Sequence, residues 1–232
     1  MFQKFIIAVR GIFSDAWNLL KEGWAMLGKP VSPWWMVFGL LILAVVPFDE
    51  ITLQTLRFPE NSQAHKVAQF ISDKGDFYKG CALLVGVLLT LGLLLKKQKL
   101  RLLAIAMALS CACAGISSLA VRVTSGRPRP SLGVPDGLYG PRFSTGRHSF
   151  VFFDYDYQAF PSGHATTAFA TAIPALVAEP VIGIPLTIAA ATVPWARFQL
   201  KRHHLSDLYA GIFIGTLFGV VFGRAVRKRT SI

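Results

Sequence analysis

Residues 100–121 read LRLLAIAMALSCACAGISSLAV, an apolar run in which only Arg101 carries a charge. A helix that crosses the hydrocarbon core of a bilayer needs about 20 predominantly apolar residues, and this run is long enough. It therefore predicts a membrane-spanning helix. The fold class expected for the whole chain is all-α, a polytopic membrane helical bundle with six transmembrane helices, because five more apolar segments lie near 34–56, 78–95, 163–179, 181–198 and 205–223.

The composition excludes an ordinary soluble domain. Hydrophobic residues make up 53% of the chain and charged residues 16%, whereas charged residues are about 25% of typical soluble proteins. The formal net charge is +12, but the basic residues stand at segment ends and around one loop rather than along a single stripe. We therefore expect membrane lipids, and no nucleic acid, as partners.

The first thirty residues differ from the rest of the chain. Arg10 interrupts their only apolar run, so they are not expected to be a cleavable signal peptide. Their apolar and aromatic side chains recur at helical spacing, which predicts an amphipathic helix in the membrane interface. A helix packed against other protein is the alternative. We thus divide the chain into an interfacial helix at 1–30 and a six-helix transmembrane domain at 31–232.

Two details concern the spans themselves. The segment 34–56 is interrupted by Pro47, Asp49 and Glu50, whereas Glu179 and Pro180 form a tight turn that predicts an antiparallel hairpin.

The three cysteines all lie inside apolar runs, which favours packed side chains over a disulfide framework or a zinc site.

Basic residues set the expected orientation. They crowd the link between the second and third spans, follow the sixth span, and are in excess near the amino terminus. The positive-inside rule then places both termini in the cytoplasm. The 122–162 loop lies outside and yet keeps several arginines, which calls for a functional explanation.

Three polar blocks stand at outward ends of spans: RVTSGRPRP (122–130), FPSGH (160–164) and RFQLKRHHLSD (197–207). The guanidinium group of arginine suits phosphate because it donates two parallel hydrogen bonds and stays charged. Pro161 can open a helix and leave the amides of Ser162, Gly163 and His164 as free donors for an anion. His203 and Asp207 are four residues apart, so on a helix they would share a face, with the carboxylate holding one imidazole nitrogen.

Each block also has a simpler interpretation. Arginines near helix ends often extend to the interface, FPSGH can be a plain helix start, and a His followed by Asp four residues later is commonly a surface pair. Because all three blocks face one compartment and all carry phosphate-type donors, together they predict an anion-binding site.

These blocks resemble the three-part signature of the type 2 phosphatidic acid phosphatase (PAP2) superfamily. That signature reads Lys-x6-Arg-Pro, Pro-Ser-Gly-His and Ser-Arg-x5-His-x3-Asp. The spacing of its two outer blocks is matched here, and the resemblance covers roughly residues 78–223. Two positions depart from it: Arg122 stands where the family has Lys, and Ala196 stands where it has Ser. Neither change removes a residue expected to make or break bonds.

The resemblance implies a role for each site residue. His203 would be the nucleophile that forms a phosphohistidine, Asp207 would orient and polarise it, and His164 would protonate the leaving oxygen. The groups holding the phosphate oxygens would be Arg122, Arg129, Ser162, Gly163 and Arg197. No acidic ligand cluster is evident, so we expect no metal and no cofactor, with the arginines supplying charge stabilisation. His203 must be neutral while His164 is protonated, which predicts a bell-shaped pH profile.

The implied function is hydrolysis of a lipid phosphate such as phosphatidic acid, phosphatidylglycerol phosphate, polyprenyl diphosphate or lipid A. A phosphotransferase that uses an acceptor alcohol shares every one of these residues, and a non-catalytic lipid-phosphate binder or transporter would need only the arginines. The style of the sequence suggests a bacterial inner membrane with the site facing the periplasm. The stretch 131–160 is expected to form either a substrate rim or a solvated loop.

Overall fold

The computed structural model describes residues 2–27, 33–74, 77–141 and 154–230, and within those ranges it contains α-helices, short 3₁₀ turns and no β-strand. This confirms the all-α class. The helices, in chain order, are α1 (Phe2–Leu27), α2 (Pro33–Val45), α3 (Asp49–Thr55), α4 (Gln63–Lys74), α5 (Phe77–Leu94), α6 (Gln98–Ser125), α7 (Gly163–Ala178), α8 (Pro180–Gln199) and α9 (Leu205–Thr230).

The centre of the bundle is formed by α6, α7 and α9. Four glycines at four-residue spacing line one face of α9, at positions 211, 215, 219 and 223. A Cβ atom built on Gly215 would lie 2.4 Å from the carbonyl oxygen of Thr166, and one on Gly211 would lie 2.5 Å from that of Ser162. Small residues at this spacing let two helix backbones approach closely, so α7 and α9 pack nearly in backbone contact.

The remaining long helices pack around this centre. A single non-helical residue, Glu179, separates α7 from α8, which confirms the predicted hairpin. α5 packs against α6, where Gly92 leaves space for the backbone of Arg101. Large apolar side chains remain exposed on the outer surfaces of these helices: Val181 is 81% exposed and Leu83 is 70% exposed. Exposed apolar surface of this extent indicates a membrane environment.

The count of six spans is not confirmed. In the described part of the chain three helical segments are long and apolar enough to cross a membrane: Gln98–Leu132, which contains α6, then α8 and α9. Gly80–Leu94, within α5, is a shorter apolar helix, and α7 has 16 residues. The architecture is consistent with a helical membrane bundle.

The segment 34–56, which we counted as a span despite its interruptions, is not one continuous helix. α2 ends at Val45, a 3₁₀ turn covers 46–48, and α3 starts anew at Asp49. Pro47 explains the break, because its ring occupies the position of a helical N–H donor. Between α3 and α5 the chain forms a further helix, α4, which packs against α8.

The amino-terminal helix packs along α6 and α9 rather than standing apart from them. Leu19 is fully buried in the main apolar cluster, whereas Phe13, Trp17 and Trp24 point outward. Asp15 pairs with Arg101 and Glu22 with Arg229, at 2.8 and 2.9 Å. One face of α1 therefore packs against the helical bundle of the same chain, and the opposite face exposes aromatic side chains.

Candidate active site

The three polar blocks of the sequence converge at one end of the bundle. Arg122 lies in the last turns of α6, Arg129 in the loop that follows, Ser162 and Gly163 at the start of α7, and Arg197 near the end of α8. His203 lies in the turn between α8 and α9, and Asp207 in the first turn of α9. His164 is the second residue of α7. Most of these residues are buried, and only Arg122 and His164 are partly exposed.

The imidazole of His203 is 1% exposed, and its two nitrogens differ. Nδ1 lies 2.9 Å from the carbonyl oxygen of Ala159, to which it can only donate, so the proton belongs on Nδ1. Nε2 then carries the lone pair, and among the described residues it has no hydrogen-bond partner. A buried acceptor without a partner costs free energy, which a ligand at that atom would offset.

The pKa of His203 is lowered to about 3. Burial is the main cause, because an imidazolium loses its hydration there, and the charges of Arg129 and Arg197 add to the effect. The nearby carboxylate of Asp207 acts in the opposite direction but does not outweigh burial. His203 is therefore neutral near pH 7, the form that a nucleophile requires.

The geometry around Asp207 differs from the one expected. His203 precedes α9, so it does not share a helical face with Asp207, and its Nδ1 lies 3.7 Å from Asp207 Oδ2. Asp207 Oδ2 instead accepts the backbone N–H of His204 at 2.8 Å, as an acidic side chain in a first helical turn often does. Asp207 thus shapes the turn that carries His203, and it is near the imidazole without a close hydrogen bond.

Arg122 and Arg197 each keep a donor that no residue in the described part of the chain accepts. The guanidinium of Arg122 lies over Gly163, where a Cβ atom would be 2.9 Å from its Nη1. Arg197 donates from Nη1 to the hydroxyl of Ser72 on α4, at 2.9 Å. The Nε atoms of both arginines are buried and have no hydrogen-bond partner among the residues that the structure describes.

Arg129 is held by backbone and by an aromatic ring. Its Nε donates to the carbonyl oxygen of Tyr155 at 3.1 Å, and its Cζ lies 3.9 Å from the centre of the Tyr155 ring. Such stacking on a ring face stabilises a buried cation. All three arginines predicted to bind phosphate are thereby brought to the end of the bundle that carries His203.

The start of α7 offers fewer free amides than expected. The backbone N–H of Ser162 donates to the carbonyl oxygen of Asp207 at 2.9 Å, so it is not available to an anion. The Ser162 side chain caps the helix by accepting the N–H of Ala165 at a long 3.5 Å. The expectation of three free amides is wrong for Ser162, because the close packing of α7 on α9 places a carbonyl group there.

Sequence reasoning missed Arg127, which is 4% exposed and central to the site. Its guanidinium donates to Asp207 Oδ1 at 2.7 Å, to Asp49 Oδ2 at 2.8 Å, to the Ser206 hydroxyl at 2.7 Å and, through Nε, to Asp136 Oδ1 at 2.8 Å. Arg127 lies in the first polar block, two residues before Arg129, and this position could have marked it as a site residue. Burial opposes ionisation of Asp136, but the hydrogen bonds and charge of Arg127 outweigh it and lower the Asp136 pKa.

Two cavities adjoin this end of the bundle. One of about 630 Å³ has walls of mixed polar and apolar character, which include Arg129 and His204 together with Arg57, Glu60 and Lys201. The other, of about 510 Å³, is a largely apolar groove between α5 and α6 that includes Arg122. In the described part of the chain, no group of three or more His, Cys, Asp or Glu side chains could hold a metal ion. Residues 142–153, in the middle of the 131–160 stretch, lie outside the described residues.

Comparison with known sequences agrees with these motifs. Residues 81–231 match the sequence model of the PAP2 superfamily, which covers every predicted site residue. The match indicates phosphatase activity on phosphate esters. No curated protein and no solved structure matches the chain.

Proposed function

Because the chain belongs to the PAP2 superfamily, we propose that it is an integral membrane phosphatase that hydrolyses a phosphomonoester or diphosphate on a lipid substrate. The observation that carries this proposal is the state of His203. Its Nδ1 is committed to the Ala159 carbonyl group, and its buried Nε2 is neutral and has no hydrogen-bond partner among the described residues. A nucleophile awaiting a phosphoryl group needs that arrangement.

The reaction proceeds in two steps. Nε2 of His203 attacks phosphorus and forms the P–N bond as the bond to the leaving oxygen breaks, and His164 gives that oxygen a proton. Water then attacks the phosphohistidine, His164 takes a proton from that water, and the P–N bond breaks to release phosphate. Asp207, near Nδ1, stabilises the positive charge that His203 carries in between.

The arginines hold the transferred group. The Nε donors of Arg122 and Arg197 have no partner within the described ranges, and Arg129 adds a further buried positive charge. Phosphoryl transfer is mostly a matter of position and charge stabilisation, which fixed guanidinium groups can supply. Gly163 has no side chain, which allows the Arg122 guanidinium to lie at the start of α7.

A lipid substrate is supported by the apolar groove between α5 and α6. Its walls include Cys81, Val85 and Ala108, and along α6 it reaches outward as far as Arg122. A hydrocarbon chain in the groove would thus bring an attached phosphate toward Arg122. The groove is formed by helices that expose apolar side chains, so it is open to a substrate in the bilayer.

The site belongs to the outer side of the membrane under the positive-inside rule. The opposite end of the bundle carries the α5–α6 link with Lys96, Lys97 and Lys99 and the basic end of α9. In a bacterial inner membrane, which we propose as the location, both termini would lie in the cytoplasm and the site in the periplasm.

The test is phosphate release by the purified protein, beside a His203→Ala variant, without added metal. The panel contains phosphatidic acid, phosphatidylglycerol phosphate, a polyprenyl diphosphate and lipid A. Release by the parent and not by the variant supports the proposal, and the best substrate identifies the lipid class.

Two other outcomes are separable. Phosphate that appears on an added alcohol rather than in solution assigns a phosphotransferase. Binding of the lipid phosphates with neither release nor transfer by the folded parent contradicts catalysis and assigns a binder.

A further inference from the structure

Asp49, at the start of α3, lies outside the family-matched region and is 2% exposed. Its Oδ1 accepts the backbone N–H of Ser206 at 2.9 Å. Its Oδ2 accepts from Arg127 Nη2 at 2.8 Å and from the hydroxyl of Ser206. Three donors, one of them a guanidinium group, thus converge on this carboxylate.

Both partners of Asp49 lead directly to Asp207. Ser206 precedes Asp207 in the first turn of α9. Arg127 holds Asp207 Oδ1 through Nη1 at 2.7 Å, the same nitrogen that donates to the Ser206 hydroxyl. The other oxygen of Asp207 binds the His204 N–H, next to His203. Asp49 therefore contacts both groups that fix Asp207 and the histidine turn.

Removal of the Asp49 charge would disturb this arrangement in a defined way. The Ser206 N–H and one edge of the Arg127 guanidinium would lose an anionic acceptor in a buried place, where an unmet donor is costly. Arg127 would then be drawn toward its other carboxylates, Asp136 and Asp207. Asp207 would shift relative to the His203 imidazole.

We propose that Asp49 is a positioning residue that, through Arg127 and Ser206, holds Asp207 and the turn carrying His203 in the geometry for phosphoryl transfer. The proposal rests on the proposed function. It extends the working site to a helix near the amino terminus, in a part of the chain that the family match does not include.

The experiment compares Asp49→Asn with Glu22→Gln. Glu22 is the matched control, because it also ties the amino-terminal part of the chain to α9, but at the far end, through Arg229 at 2.9 Å. We expect Asp49→Asn to lower kcat about 10- to 100-fold with KM changed less than about threefold, since misplacement of a catalytic group acts on the chemical step. Glu22→Gln should keep the parental kcat. Equal kcat values for the two variants would overturn the proposal.

A second pair of variants covers the case in which Asp49→Asn does not fold. Ser206→Ala removes only the hydroxyl link and should lower kcat in the same direction by less. Asp49→Glu keeps the charge and should recover part of the kcat lost in an Asp49→Ala variant. An unchanged kcat in Ser206→Ala, with no recovery by Asp49→Glu, would contradict a positioning role.

A readout independent of turnover separates this proposal from the proposed function. The ring nitrogens of His203 can be followed by 15N NMR in histidine-labelled protein, with the signals assigned by their loss in His203→Gln. We expect the His203 shifts to change in Asp49→Asn and to stay parental in Glu22→Gln. Unchanged His203 shifts in Asp49→Asn reject the positioning role. If the shifts change in Asp49→Asn but the parent protein releases no phosphate, the positioning role is supported and the phosphatase function is rejected.

Discussion

His203 is oriented by a backbone carbonyl group rather than by the carboxylate four residues later. The carbonyl belongs to Ala159, whose own N–H donates to the Arg127 carbonyl oxygen at 3.0 Å. Close by, the N–H of Arg129 donates to the carbonyl oxygen of Asp156 at 2.9 Å. The segment before α7 is thus paired with the segment after α6, and this pairing fixes the tautomer of His203.

The lowered pKa of His203 makes a prediction about pH. Because burial brings that pKa from its ordinary 6.5 to about 3, the imidazole stays neutral as the pH falls through 6.5. We expect kcat for phosphate release to show no loss from protonation of His203 between about pH 7 and pH 5. A pH–rate curve measures this. A fall in kcat below about pH 6.5, together with an NMR titration that shows His203 taking up a proton at that pH, would contradict the assignment.

Gly163 makes a second prediction at the level of single residues. A methyl group there would lie 2.9 Å from Arg122 Nη1, so Gly163→Ala should displace the guanidinium without disturbing the backbone. We expect kcat/KM for phosphate release to fall about tenfold, or about 1.4 kcal/mol of transition-state stabilisation. The control is Gly80→Ala on α5, where a Cβ atom meets nothing within 4 Å. Equal kcat/KM in the two variants would argue against a role for Arg122 in binding phosphate.

The glycine face of α9 is the feature that makes the central helices one unit. Gly219 and Gly223 continue the close contact toward the other end, against Ile173 and Val177 of α7. Since α7 carries His164 at its first turn and α9 carries Asp207, this contact sets the distance between the two polar blocks. The geometry of the candidate site therefore depends on small residues that continue to the other end of the two helices.

A substitution within this face should separate the two helices. Gly215→Ala places a methyl group 2.4 Å from the carbonyl oxygen of Thr166 and 2.9 Å from the nitrogen of Ala170, which are backbone atoms that cannot turn aside. We expect a loss of about 1–3 kcal/mol in stability, the usual cost of overpacking. Thermal unfolding in detergent measures it. Gly86→Ala on α5, with nothing within 4 Å, should change the midpoint little, and equal midpoints would refute the close contact.

The structure gives the acidic residues of α3 a role that the sequence did not reveal. In the sequence, Asp49 and Glu50 only interrupt an apolar segment. Because Pro47 ends the preceding helix, α3 is free to turn, and Asp49 is buried against α9 while Glu50 stays exposed. A carboxylate that is unfavourable in lipid is stabilised here by Arg127.

At the scale of the molecule, α1 attaches to the bundle mainly through apolar packing. Leu19 is fully buried, whereas the Glu22–Arg229 pair is partly exposed and such pairs contribute about 0–1 kcal/mol. We expect Leu19→Ala to cost about 2–5 kcal/mol of α1 docking and Glu22→Gln far less. Limited proteolysis of α1 in the detergent-solubilised protein reports this. Trp17→Ala, on the exposed face, is the control, and equal cleavage of Leu19→Ala and Trp17→Ala would reject the packing.

The amino-acid sequence alone was sufficient for the helical class, the α7–α8 hairpin and the three polar blocks of the site. Apolar runs and residue spacing are local properties, and they persist whatever the neighbouring helices do. Pro47 was also recognised as an interruption of the segment 34–56, but the sequence did not show that a separate helix, α3, follows it.

The tertiary structure alone decided which groups actually meet. Arg127 joins Asp49, Asp136 and Asp207 across chain separations of up to 80 residues, and the Ala159 carbonyl group replaces Asp207 as the partner of His203. The Ser162 amide is likewise taken by a carbonyl group of α9. Such contacts depend on how closely helices pack, and a hydrogen bond forms only within a few tenths of an ångström of its preferred distance. No spacing along one chain specifies that distance.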